Sequence, residues 1–176
     1  MSEPLRQLED EHRDISRLLD LLDQQVQLIS RGRLPDRGLL RDIMHYLTHY
    51  SDLFHHPREE LIFARVGEYE PPLREVLASL SQEHRLLARR GTSLYRGLSR
   101  PVDGVAVVHQ LDLYARQLRE HIVREEDLVF ARAEDLLTDG DWAYVEAGMA
   151  ENADPLFGEL MDKQYRVRLQ HILRLL

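Results

Sequence analysis

The sequence has no cysteine, which excludes disulfides, thiolate zinc sites, iron–sulfur clusters and cysteine nucleophiles together. Basic residues are outnumbered: 23 Lys and Arg against 31 Asp and Glu leave a net charge of −8. That balance argues against a binder of nucleic acid or of anionic membranes. No apolar run approaches the ~20 residues that a membrane-spanning helix needs, and the opening MSEPLRQLEDEHRD is too charged for a signal peptide. A cytoplasmic protein is expected. GxxxxGK[ST], GxGxxG and GxSxG elements are also missing, so nucleotide-dependent and serine-hydrolase chemistry have no support. What is present is a chain of 176 residues, 43% hydrophobic and 31% charged, sufficient for one globular domain over 1–176. Nine histidines in an acidic chain are its unusual feature.

Helical periodicity dominates, and no sequence-period repeat or low-complexity tract stands out. Breaker clusters fall at Arg31–Arg37, Gly67–Pro72, Ser99–Gly104, Thr138–Asp141 and Asn152–Gly158. They leave long helical segments over roughly 3–30, 38–66, 73–98 and 103–137, then a shorter pair near 141–151 and 159–174. Short connections between long helices favour antiparallel neighbours. The expected fold is therefore all-α: an up-down antiparallel four-helix bundle over about 3–137, with a C-terminal helical extension over about 141–176. That extension is amphipathic through Leu160, Tyr165, Val167, Leu169, Ile172, Leu173 and Leu176. Packing on its own bundle leads, ahead of a homodimer formed through these helices; membrane contact is disfavoured.

Steps of three and four residues trace the inward faces. The first helix gives His12, Ile15, Leu19, Leu22, Val26 and Ile29. The third gives Leu77, Leu80, His84, Leu87, Gly91, Leu94 and Leu98, and the fourth Val107, Leu111, Tyr114, Leu118, His121, Glu125 and Leu128. Histidine replaces an aliphatic residue in all three stripes. In the second segment Pro57 removes a backbone donor and kinks or restarts the helix. Two pairs overlap there, His55 with Glu59 and His56 with Glu60; the first is preferred because it continues inward through Ile62 and Val66.

At ~1.5 Å rise per helical residue, the distances of these polar positions from each shared connection agree to about one turn. Four helices therefore present His and Glu to one another at a common level. Buried carboxylates need compensation, since an uncompensated one costs several kcal/mol or more. The i, i+4 spacing of His55 with Glu59 and of His121 with Glu125 sets an imidazole and a carboxylate on one face. Six donors over-supply one cation but suit two that share the carboxylates, and mixed imidazole and carboxylate donors favour iron over manganese or zinc.

These residues resemble the hemerythrin-like (HHE cation-binding) family across about residues 5–135. The likeness rests on Glu11–His12, HHPREELIF at His55–Phe63, Glu83–His84 and HIVREEDLVF at His121–Phe130. It implies two non-haem iron ions bridged by Glu59 and Glu125, with His12, His55, His84 and His121 as terminal ligands. An oxo or hydroxo bridge and a small exogenous ligand such as O₂ would complete the centre. The oxygen carriers of the family have HxxxH on the third helix, whereas Ala88 stands four residues after His84 here. They also place Asp one residue beyond Glu125. One metal is thus expected to have an extra open or water-filled position, or a replacement ligand such as a Tyr. The expected function is binding or sensing of O₂, NO or peroxide. A di-iron enzyme turning over peroxide or NO, or an oxidase, is the alternative, followed by a metal-free helical interaction module.

Other features read more plainly. His45 and His49 fall opposite Ile43, Leu47, Tyr50 and Phe54 and are expected in solvent, like His109 and His171. Glu9-x-x-His12 occurs once, which disfavours ferritin-type chemistry. Asp139–Gly140–Asp141 reads as a turn and helix N-cap rather than a calcium loop.

Overall fold

The computed structural model describes residues 2–98, 104–151 and 158–174. Residues 99–103 and 152–157, which belong to two of the expected connections, lie outside it, as does Leu176. The described residues are helical, without a strand. The helices are α1 (Glu3–Ser30), α2 (Arg37–His45), α3 (His56–Tyr69), α4 (Arg74–Gly97), α5 (Gly104–Glu125), α6 (Ala131–Leu136), α7 (Asp139–Glu151) and α8 (Gly158–Leu173). A π-helical stretch, Tyr46–His55, joins α2 to α3, and a shorter one, Glu126–Phe130, joins α5 to α6.

Local chemistry sets the ends. Ser2 accepts from the Leu5 amide and Pro4 sits in the first turn, where its missing N–H is harmless. Gly32 takes φ +69 as α1 stops, while the Arg33 amide returns to Leu28 O at 2.9 Å. Asp36 then caps α2 by accepting from the Leu39 amide at 2.9 Å. Pro57 restarts the chain as α3: the amide of His56 reaches five residues back to Ser51 O, so the π-helix ends where proline has no donor to offer.

Three long elements enclose the centre of the helical bundle. α1 packs along α5, and α4 packs along α5 as well as against α2 and α3. Gly91 on α4 permits a close approach: a Cβ there would collide with Thr48 Cγ2 and lie 3.1 Å from the Tyr114 hydroxyl. The apolar core is divided in two. One cluster joins Ile15, Leu18, Leu19, Leu21 and Leu22 to Ile43, Tyr50, Leu87, Leu111 and Leu118; the other joins Leu5, Leu8, Ile62, Phe63, Leu80, Val129 and Phe130. Between them lies a slab of buried polar groups.

The C-terminal helices close over this core. α7 packs on α3, and α8 packs on Tyr46–His55 and α2. Tyr165, Leu169, Ile172 and Leu173 join the first cluster, and Val145 joins the second. Val167 instead remains 63% exposed. No described helix is long and apolar enough to cross a membrane.

Three expectations need correction. Leu128 does not face inward but is 39% exposed. Asp127 adds one residue after Glu125–Glu126, the π-turn absorbs it, and Val129 and Phe130 are buried instead. His45 and His49 are not solvated: they are half-buried, and their rings pack at 5.4 and 5.3 Å from Tyr95. Finally, α7 is capped by a Thr138–Asp141 capping box, not by the Asp139 turn.

Candidate metal centre

The polar slab is made from α1, α3, α4, α5 and the end of the first π-helix. His12, His55, Glu59, His84, His121 and Glu125 are all buried, the two carboxylates completely. Nε2 of His12 lies 3.1 Å from Glu59 Oε1 and 3.6 Å from Glu125 Oε2. Nε2 of His84 mirrors it, at 2.9 Å from Glu125 Oε1 and 3.3 Å from Glu59 Oε2. His55 Nε2 approaches Glu59 at 3.2 Å and His121 Nε2 approaches Glu125 at 3.0 Å. Each carboxylate thus touches imidazoles from both sides. His12, His55 and Glu59 form one candidate metal triad, and His84, His121 and Glu125 another, with potential ligand atoms within 4.8 Å of one another in each.

The outer ring nitrogens are equally organised. Nδ1 of His55 donates to Glu11 at 2.8 Å, and Nδ1 of His121 donates to Glu83 at 3.0 Å. Nδ1 of His12 donates to Glu126 at 3.0 Å, and Nδ1 of His84 donates to Glu60 at 3.0 Å. A carboxylate can only accept, so each bond places a proton on Nδ1 and leaves Nε2 as the inward nitrogen. This is the usual arrangement behind metal-binding histidines.

The whole arrangement repeats. Glu11–His12 corresponds to Glu83–His84, and HHPREELIFAR to HIVREEDLVFAR once Asp127 is set aside. Arg58 anchors Glu11 as Arg124 anchors Glu83. Phe63 stacks on His84 and Phe130 on His12, at 5.7 and 5.4 Å. The chain therefore does contain an internal repeat, hidden in sequence because one copy carries an extra residue. The outer acids Glu11, Glu60, Glu83 and Glu126 escape periodicity arguments because they sit beside the inward stripe. The signal that marks them is a glutamate before His12 and His84 and a second glutamate after Glu59 and Glu125.

Imidazoles and carboxylates in the slab hold each other's charge. Burial would push His84 down, but Glu125, Glu59 and Glu60 outweigh it and raise its pKa to about 11. Burial likewise opposes His55, yet Glu59 and Glu11 raise it to about 10. Burial and the neighbouring Glu59 push Glu125 up, but His121 and His84 bring it below the ordinary value; Glu59 is lowered by His55, His12 and His84 against burial. Two carboxylates stay ionised because positive charge is held between them. Glu59 Oε2, Glu125 Oε2 and His121 Nε2 nevertheless make no well-directed hydrogen bond. Inward-facing imidazole nitrogens, ionised carboxylates and unbonded donor atoms fit metal ions.

The hemerythrin HHE cation-binding domain profile matches residues 3–133. The chain belongs to that family. No curated protein and no solved structure matches it. The HHE domain is a cation-binding one, and its His/Glu clusters could hold a metal ion. Elsewhere, His45 is pushed down to about 4, chiefly by burial and then by His49. Ala88 is half-buried, and a methyl group offers a metal nothing.

Proposed function

We propose that this HHE protein holds two non-haem iron ions in an up-down four-helix bundle and binds or senses a small ligand: O₂, NO or peroxide. His12 and His55 would hold one iron and His84 and His121 the other. Glu59 and Glu125 would bridge them alongside an oxo or hydroxo group. The observation that carries this reading is the pair of matching triads whose two carboxylates each approach imidazoles of both. Bound iron would supply a redox-active, ligand-accepting centre.

The protein's own groups do the rest. Glu11, Glu60, Glu83 and Glu126 fix the imidazole tautomers, and second partners of this kind commonly change metal affinity 10–100-fold. Phe63 and Phe130 cover two of the rings and exclude water. A cavity of about 250 Å³, lined in part by Glu83, Leu87, His121 and Arg124, borders the slab beside His121 and is large enough for a small molecule.

Native mass spectrometry of protein purified without chelator should show two metals per chain. Absence of metal after iron supplementation would end the proposal. Addition of O₂, NO or peroxide to the ferrous protein should then change its optical spectrum stoichiometrically.

One observation favours the turnover reading. Tyr50 donates to Glu11 at 3.0 Å, and Glu11 accepts from His55 at 2.8 Å. This chain can hold or move a proton beside the centre. Repeated consumption of peroxide or NO, rather than one equivalent, would establish turnover.

A further inference from the structure

We propose that His56 is a fifth imidazole ligand, belonging to the metal held by His84, His121 and Glu125. The inference rests on the di-metal reading and deepens it. Consecutive residues of a helix point about 100° apart, so His55 and His56 address different neighbours. His55 meets Glu11, whereas the His56 ring stacks on His84 at 4.1 Å with an interplanar angle of 13°. It also stands edge-on to His121 at 6.5 Å.

Three features argue that this ring is a donor and not a spacer. Its side chain is only 11% exposed. A ligand atom of His56 lies within 4.8 Å of those of Glu59 and His84, a third candidate metal grouping. Nδ1 of His56 has a carboxylate oxygen, Asp52 Oδ1, at 3.5 Å, a looser approach than the 2.8–3.0 Å hydrogen bonds behind the other four histidines.

The repeat sharpens the point. The residue equivalent to His56 in the second copy is Ile122, buried and without a donor. The two metals would therefore differ, three imidazoles on the His84 side against two on the His12 side. His56 would also supply what Ala88 cannot, from a different helix.

The test loads the intact protein with Co(II) alone and counts the exchangeable, hyperfine-shifted imidazole N–H resonances in its proton NMR spectrum. Five are expected in the native protein and four in His56→Ile, the substitution that installs the counterpart residue. The variant's second Co(II) equivalent should also bind about tenfold or more weakly, with the first unchanged. His56→Gln gives the same comparison should isoleucine disturb folding. Four resonances in the native protein, or five retained in a folded variant, would overturn the assignment. Failure of the native protein to take up any Co(II) would instead overturn the di-metal reading itself, and this proposal with it.

Discussion

The two halves of the polar slab share their inward residues and differ in what surrounds them. Around His55, Glu11 is 11% exposed and accepts from Tyr50, Arg58 and Gln7 as well as from the imidazole. Around His121, Glu83 is 29% exposed, accepts from Ser79 and Arg124, and lines an open cavity. The π-turns are also placed differently, before the His in one copy and after the Glu in the other. The inward His and Glu residues recur in both halves, while burial around them differs. The domain thereby combines a closed, well-supported half with one that borders a cavity.

The largest expected effect is one that ignores this difference. Glu59→Gln and Glu125→Gln should each abolish stoichiometric metal, because each carboxylate serves both halves; His84→Ala should do the same, and His45→Ala should leave metal content intact. Metal analysis per chain checks this, and loss of only one ion in one of the two glutamine variants would show that the carboxylates are not shared. Chelation should lower the melting temperature next. Ligand present at 100-fold above its Kd stabilises by about 2.7 kcal/mol, equivalent to roughly 5–10 °C for a chain of this size. An unchanged melting temperature would favour a metal-free helical module.

Breaking the outer contacts separates the halves. Glu11→Gln should cost about 1–3 kcal/mol of stability, because it weakens a buried acceptor shared by several donors. Glu83→Gln should cost less, while both weaken metal binding. Urea denaturation with metal titration measures the two effects separately, and equal stability losses would remove the contrast. The smallest effect is expected from deleting exposed Asp127, which would give the second copy the spacing of the first. The π-turn should relax to α-helix, leaving Phe130 on His12 and the melting temperature within a few degrees.

Much of this was legible in the sequence because burial leaves a periodic trace. His12, His84 and His121 interrupt aliphatic stripes, and the continuation through Ile62 and Val66 selects His55 and Glu59 as the inward pair. The structure brings all six of these residues together. What stayed hidden has no periodic trace. A π-turn shifts the hydrogen-bond register without changing composition, which is why periodicity places Leu128 inward and masks the repeat. Charged neighbours such as Glu60 and Glu126 look like solvated helix faces until the facing imidazole is placed. His45 and His49 are covered by Tyr95 of α4, and His45 also by Tyr165 of α8 at 5.6 Å, contacts between distant segments that local sequence does not encode.

Anomalous diffraction at the iron edge, from crystals grown with ferrous salt, tests the central claim most directly. The expected map has two peaks inside the slab, one beside His12, His55 and Glu59 and one beside His84, His121 and Glu125, with both carboxylates between them. A single peak, or peaks lying outside the ring of imidazoles, would contradict it.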